Sequence, residues 1–157
     1  MTFHDRAIVL RPGEGKTVSV FGDLHTYKAV GEQTEGAYGL VEITLRAPAS
    51  GPPAHVHRGA DEAFYVLEGE LTMLIGDRTI TATAGSFAFV PRGAVHTFAN
   101  RGAHEARFLV INSPAGLERA LEEVAEFAPS AGQTPDIGRL LAIAEKYNTE
   151  NVGPPLA

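Results

Sequence analysis

Cysteine and tryptophan are both absent from this 157-residue sequence. Without thiols there can be no disulfide, and any metal centre must be built from nitrogen and oxygen donors, which confines the search to His, Asp and Glu. Cations are sparse as well: 13 Lys plus Arg face 19 Asp plus Glu, for a formal charge of −6, and the cations do not cluster. Phosphate backbones are bound by grouped cations, so no nucleic-acid partner is expected, and small molecules or other proteins are the expected partners. No window approaches the roughly 20 apolar residues of a membrane helix. The opening residues, MTFHDRAIVLRPGEGKT, place acid, base, Pro and Gly before any long apolar run, unlike a signal peptide. A soluble, cytoplasmic protein without membrane contact is therefore expected, and the length suits one compact domain.

Helical periodicity is also scarce, up to about residue 112. What stands there instead is a series of short runs rich in Val, Ile, Phe, Tyr and Thr, punctuated by Gly and Pro. In YGLVEITLRA, from Tyr38 to Ala47, apolar residues alternate over Val41, Ile43 and Leu45, as in a half-buried strand. AFYVLEG, ELTMLIGD, RTITATA, SFAFVP, HTFAN and ARFLVIN read as further strands. Gly76-Asp77 has the composition of a tight hairpin turn. Such close spacing predicts a mainly β fold, an antiparallel meander or jelly roll closed as a sandwich or barrel.

Past Asn112 the pattern changes. Ser113-Pro114 fits an N-cap followed by Pro at the first helical position, and Leu117, Ala120, Leu121 and Val124 recur at helical spacing. A second amphipathic helix is predicted from Thr134-Pro135, with Ile137, Leu140, Leu141 and Ala144 on its apolar stripe, ending before Asn148 and Gly153-Pro154. The expected organisation is a β domain over residues 1–113 and a helical extension over 114–157 packed on it. A hinge around Pro129 to Pro135 that turns the helices into a lid is the less favoured alternative, because packed amphipathic helices are usually structural.

The chemistry concentrates in HVHRGADE, from His55 to Glu62. Side chains at i and i+2 of a strand share a face, so His55 and His57 can aim their ring nitrogens at one ion, each about 2.1 Å from it. An isolated H-x-H is more often a pair of surface histidines, and Glu62 alone could be a solvated strand end. His96 follows the turn Pro91-Arg92-Gly93 on a different strand, with its ring expected toward the apolar side. His4, His25 and His104 have no ligand-like spacing and are expected at the surface.

Taken together, His55-x-His57-x4-Glu62-x6-Gly69 resembles the first motif of the cupin superfamily. Gly85-x5-Pro91-x-Gly93-x2-His96-x3-Asn100 resembles the second. One departure is that Gly51 sits two positions nearer His55 than the family's usual leading glycine, which reads as a shortened turn. The resemblance implies a cupin double-stranded β-helix (jelly-roll) barrel. It also implies metal ligation by His55, His57, Glu62 and His96, with Gly69, Gly85, Pro91, Gly93 and Asn100 at turn-forming positions. The implied cofactor is one divalent transition metal ion, Fe, Ni, Mn, Co, Cu or Zn, with one or two coordination positions left open.

HVHRGADEAFYVLEGE and the helical tail are similar to single-domain quercetin 2,3-dioxygenase-like cupins. That similarity implies a dioxygenase acting with O2 on a small aromatic or enolisable, flavonol-like substrate, with Glu62 as the catalytic base. Strand parity places Phe64 and Val66 on the face of Glu62, and Phe98 on that of His96. With Phe89, these are the candidate substrate pocket. Tyr27, Tyr38 and Tyr65 are possible sources of a hydroxyl. A non-catalytic binding or sensor cupin is the alternative, and a sugar isomerase or epimerase is less favoured because the barrel reads as aromatic rather than cationic. The resemblance also implies a homodimer.

Overall fold

A computed structural model describes residues 6–128 and 134–156. The strands are β1 (Thr17–Val20), β2 (Asp23–Ala29), β3 (Gly39–Leu45), β4 (Ala49–Ser50), β5 (His55–His57), β6 (Asp61–Glu68), β7 (Glu70–Ile75), β8 (Arg78–Thr83), β9 (Phe87–Val90), β10 (His96–Asn100), β11 (Ala106–Ser113) and β12 (Thr149–Asn151). The helices are α1 (Gly31–Thr34), α2 (Leu117–Ala125) and α3 (Ile137–Lys146). One sheet runs β1-β2-β3-β11-β6-β9 and the other β12-β5-β10-β7-β8, with β4 beside β10. Every pairing is antiparallel.

Alternation explains where the core lies. Val41, Ile43 and Leu45 of β3, Phe64 and Val66 of β6, and Phe108 and Val110 of β11 face inward from the first sheet. They meet Leu71 and Met73 of β7 and Ala82 of β8 from the second. Burying these side chains is the main favourable term of the fold. The Gly76-Asp77 hairpin joins β7 to β8 as expected, with Ile75 opposite Arg78 and Gly76 at φ +63°. At Gly69 the chain turns from β6 into β7 with φ +72°, and a Cβ there would lie 2.6 Å from the Glu105 carbonyl oxygen, so the position excludes larger residues.

Several sequence expectations shift. Strands β1 and β2 do not read as strands because the inward row of β2 is Asp23, His25, Tyr27 and Ala29, which is largely polar or aromatic. His25 is buried rather than at the surface, 7% exposed, with its Nδ1 lacking a partner. His104 is exposed as expected, and His4 lies outside the described residues. Ser113 closes β11 and its hydroxyl donates to the Ala37 carbonyl, so α2 begins only after Gly116. The second helix is capped by Asp136, whose carboxylate accepts from the Arg139 N–H, rather than by Thr134. Residues 129–133 of the suggested hinge lie outside the described residues.

Beyond α3 the chain returns to the barrel as β12, a strand the helical reading of 114–157 did not contain. It pairs with β5 in the register Thr149–His57, Glu150–Val56 and Asn151–His55. Further backbone bonds extend the contact from Arg58 N–H to Asn148 O and from Val152 N–H to Ala54 O. No helix among the described residues is long and apolar enough to cross a membrane.

Candidate metal centre

Three adjacent pieces of backbone bring the expected ligands together. His55 and His57 project from β5 with the parity their spacing requires, His96 lies directly opposite His55 on β10, and Glu62 reaches in from β6 of the other sheet. One ligand atom from each of the four lies within 4.8 Å of the others. Two ligands on opposite sides of a transition-metal ion stand about 4.2 Å apart, so movements of a few tenths of an ångström would let this set close on one cation. The imidazole rings of His55 and His96 have centroids 4.3 Å apart, and those of His55 and His57 4.7 Å.

Local turns position the strand ends. Asp61, beside Glu62, accepts from both the backbone N–H and the guanidinium of Arg92, which ties the start of β6 to the turn ahead of β10. Gly93 in that turn, at φ +87°, donates its N–H to the His57 carbonyl at 2.8 Å. The two motifs are therefore linked through backbone as well as through their side chains.

Every ligand has a partner behind it. His55 Nδ1 lies 2.8 Å from Pro53 O and His96 Nδ1 3.1 Å from Ala94 O, so each ring donates to a carbonyl of its own chain segment and presents Nε2. His57 Nδ1 lies 2.9 Å from Thr149 Oγ1 on β12. Asn112 Nδ2 donates to Glu62 Oε1 at 2.9 Å from the adjacent strand, leaving Oε2 toward the histidines. Neither Thr149 nor Asn112 is singled out by the sequence, since each acquires its role from pairing with a distant strand.

The electrostatics suit a cation. Burial, then electrostatic repulsion from the neighbouring imidazoles of His96 and His57, outweigh the Pro53 carbonyl and Glu62 and push His55 down to about 4, so it presents a neutral lone pair at pH 7. Burial alone would raise Glu62, whose side chain is 11% exposed, yet hydrogen bonds and charge from His57 and His96 hold it well below the usual carboxylate range. Burial disfavours a charged His96, but the 2.7 Å contact of its Nε2 with Glu62 Oε2 wins and raises its affinity for a proton. A divalent ion would take the place of that proton. A neutral imidazole set with one carboxylate is the donor chemistry of the first-row transition metals, so the residues fit the expected cofactor.

The aromatic candidates divide. Phe64 is buried with its ring 6.3 Å from that of His96 and 5.8 Å from that of Phe98, and Phe98 in turn meets Phe108 at 5.3 Å. Val66, two residues further along the inward row, is packed in the core. Phe89 does not join them. It is 55% exposed on the outer face of β9, where Ala88 and Val90 are the inward residues, and it stands opposite Ala63 rather than Phe64. None of the tyrosines reaches the cluster: Tyr27 donates its hydroxyl to Glu118 O, and Tyr38 and Tyr65 are exposed on the outer side.

Comparison with known proteins agrees with this geometry. Residues 42–112 match the family described as the cupin domain. The chain is 32% identical over 95 residues to quercetin 2,3-dioxygenase of Bacillus subtilis (strain 168), a match covering 57% of this chain and 26% of that protein. It is 31% identical over 81 residues to the tetracenomycin polyketide synthase protein TcmJ of Streptomyces glaucescens, covering 52% of each. Among solved structures, the polyketide cyclase RemF of Streptomyces resistomycificus superposes with a TM-score of 0.58 at 25% identity, over 68% of this chain and 79% of that one. The chain thus spans between about a quarter and a half of the length of these curated relatives.

Proposed function

We propose, from the premise that this chain carries a cupin domain at residues 42–112, that it is a metal-dependent dioxygenase of the quercetinase-like kind, converting a small aromatic or enolisable, flavonol-like substrate with O2. The observation that carries this reading is the convergence of His55, His57, Glu62 and His96 beside the Phe64–Phe98 pair. The likeness to the Bacillus quercetin dioxygenase supports it. When bound, a divalent ion supplies a Lewis acid that makes a substrate hydroxyl easier to ionise and leaves positions open for substrate.

The chain's own residues supply the rest. His55, His57 and His96 fix the geometry, each braced at Nδ1. Glu62 accepts the proton of the substrate hydroxyl at Oε2 while Asn112 steadies Oε1, so the carboxylate turns toward substrate without leaving its strand. Phe98, partly buried, offers an aromatic edge to a flat ligand, and the buried Phe64 behind it holds that ring in place.

A second reading is favoured by the likeness to a polyketide synthase protein, TcmJ, and a polyketide cyclase, RemF. In that reading the same site enolises a poly-β-ketone and promotes an aldol closure with loss of water, consuming no O2. Loading the protein with Ni, Co, Mn or Fe and following dissolved O2 over flavonols and β-diketones separates the two. Dioxygenase activity predicts stoichiometric O2 uptake with some member of the panel. Cyclised product formed equally under nitrogen would replace that reading with the second. Turnover of nothing in either atmosphere by metal-loaded protein would leave a binding module.

A further inference from the structure

Two of the three imidazoles lean on backbone carbonyls two residues before them, an arrangement each strand provides whatever side chains surround it. His57 differs. Its Nδ1 partner is the hydroxyl of a residue 92 positions away, on a strand that follows both helices. We propose that Thr149 is a positioning residue of the metal centre: its hydroxyl holds the His57 ring so that Nε2 faces the cation.

Register and chemistry both lead there. Thr149 is the direct cross-strand partner of His57 in the β12–β5 pair, so the two side chains stand on one face at the closest spacing a sheet allows. A slip of one residue would turn Thr149 to the other face. Once Nε2 gives its lone pair to a cation, a neutral imidazole must carry its proton on Nδ1, and Thr149 Oγ1 at 2.9 Å accepts it. The hydroxyl's own proton then points to Tyr147 O, 3.5 Å away. Tyr147 is anchored to α2 through its hydroxyl, which donates to Glu123 Oε1 at 2.6 Å, and Lys146 pairs with the same oxygen. A line of contacts therefore runs from α2 through the end of α3 to one ligand of the ion, and the helical extension helps to build the centre.

The inference rests on the metal-centre half of the function proposed above and is indifferent to whether O2 is used. Its test compares wild type, Thr149→Val, which keeps the shape and removes the hydroxyl, and Thr149→Ser, which keeps the hydroxyl. Purified metal-free proteins are titrated with Co(II) alone, reading affinity and the visible spectrum of the bound ion, and the thermal stability of each metal-free form is measured in parallel. Loss of an outer partner of a ligating histidine typically weakens metal binding by roughly 10-fold to 100-fold. Thr149→Val is expected to show that loss with an altered spectrum, Thr149→Ser to restore both, and all three metal-free forms to unfold in one cooperative transition. Wild-type affinity and spectrum in Thr149→Val would overturn the proposal, as would an equal loss in Thr149→Ser. Absence of Co(II) binding by wild type would instead overturn the metal centre itself.

Discussion

The two sheets brace the ligand cluster in the same way but with unequal strength. In the six-stranded sheet that holds β6, Glu62 stands opposite Asn112, within a ladder running from Asp61–Ser113 to Glu68–Arg107 and flanked by further strands on both sides. In the other sheet, His57 stands opposite Thr149 at the edge, in a pair of only three registered residues. Both partners are supplied by the cross-strand rule, yet one sits mid-sheet and the other on the margin. The carboxylate is thus fixed by the body of the fold, whereas one imidazole depends on a three-residue strand at the margin of its sheet.

The largest expected effects come from removing ligands. His57→Ala is expected to abolish tight Co(II) or Ni(II) binding by titration, whereas Glu62→Gln is expected to abolish O2 uptake while lowering metal content much less. Equal metal loss in the two variants would erase the distinction between a geometric ligand and a base. Next is Asn112→Leu. Removing the donor leaves the Glu62 carboxylate short of a partner in a largely buried place, which costs about 2 kcal/mol. The metal-free melting temperature should fall by roughly 5 °C, and by less in Thr149→Val, which leaves the His57 ring nitrogen unpartnered at the sheet margin. If both shift it alike, the two braces do not differ.

Acidity probes the opposite margin of the first sheet. Burial, partly offset by Asp23, pushes His25 down to about 4, and His55 is lowered to the same value. In the unfolded chain both titrate near 6.5, so between about pH 6.5 and 4 the unfolded state binds more protons than the folded one. Their contribution is complete above pH 6.5 and is lost as pH falls toward 4. Metal-free protein should therefore melt several degrees lower at pH 4.5 than at pH 7.5, and His25→Phe should flatten part of that slope. An unchanged slope would remove His25 from the account. The smallest effect is expected from Arg58→Ala. Its ion pair with Glu150, which adds to the β5–β12 contact, lies between exposed side chains and is screened, so melting should move by under about a degree.

The grouping of His55, His57, Glu62 and His96 was legible through the resemblance to the cupin motifs rather than through spacing alone, which by itself gave only the shared face of His55 and His57. The barrel strands from β3 onward were legible through alternating apolar residues. What stayed hidden depends on register between distant segments. Asn112 looks like the polar end of an apolar run, and Thr149 lies in a three-residue strand with no apolar alternation. His25 was misplaced at the surface because nothing in DLHTYKA marks its face as the buried one. Phe89 was misplaced in the pocket because parity within β9 is set by its pairing to β6, with the small Ala88 turned inward in its stead. The helix starts moved because Ser113 is used by the sheet before any helix can use it.

The 92-residue separation of Thr149 from His57 also gives the centre a history. A ribosome emits all four donor residues, and every strand from β1 to β11, before it reaches the threonine. An ion captured during that interval would meet a His57 ring still free to rotate. Docking of β12 would then complete the surroundings of His57 last, after the other three side chains had gained their partners.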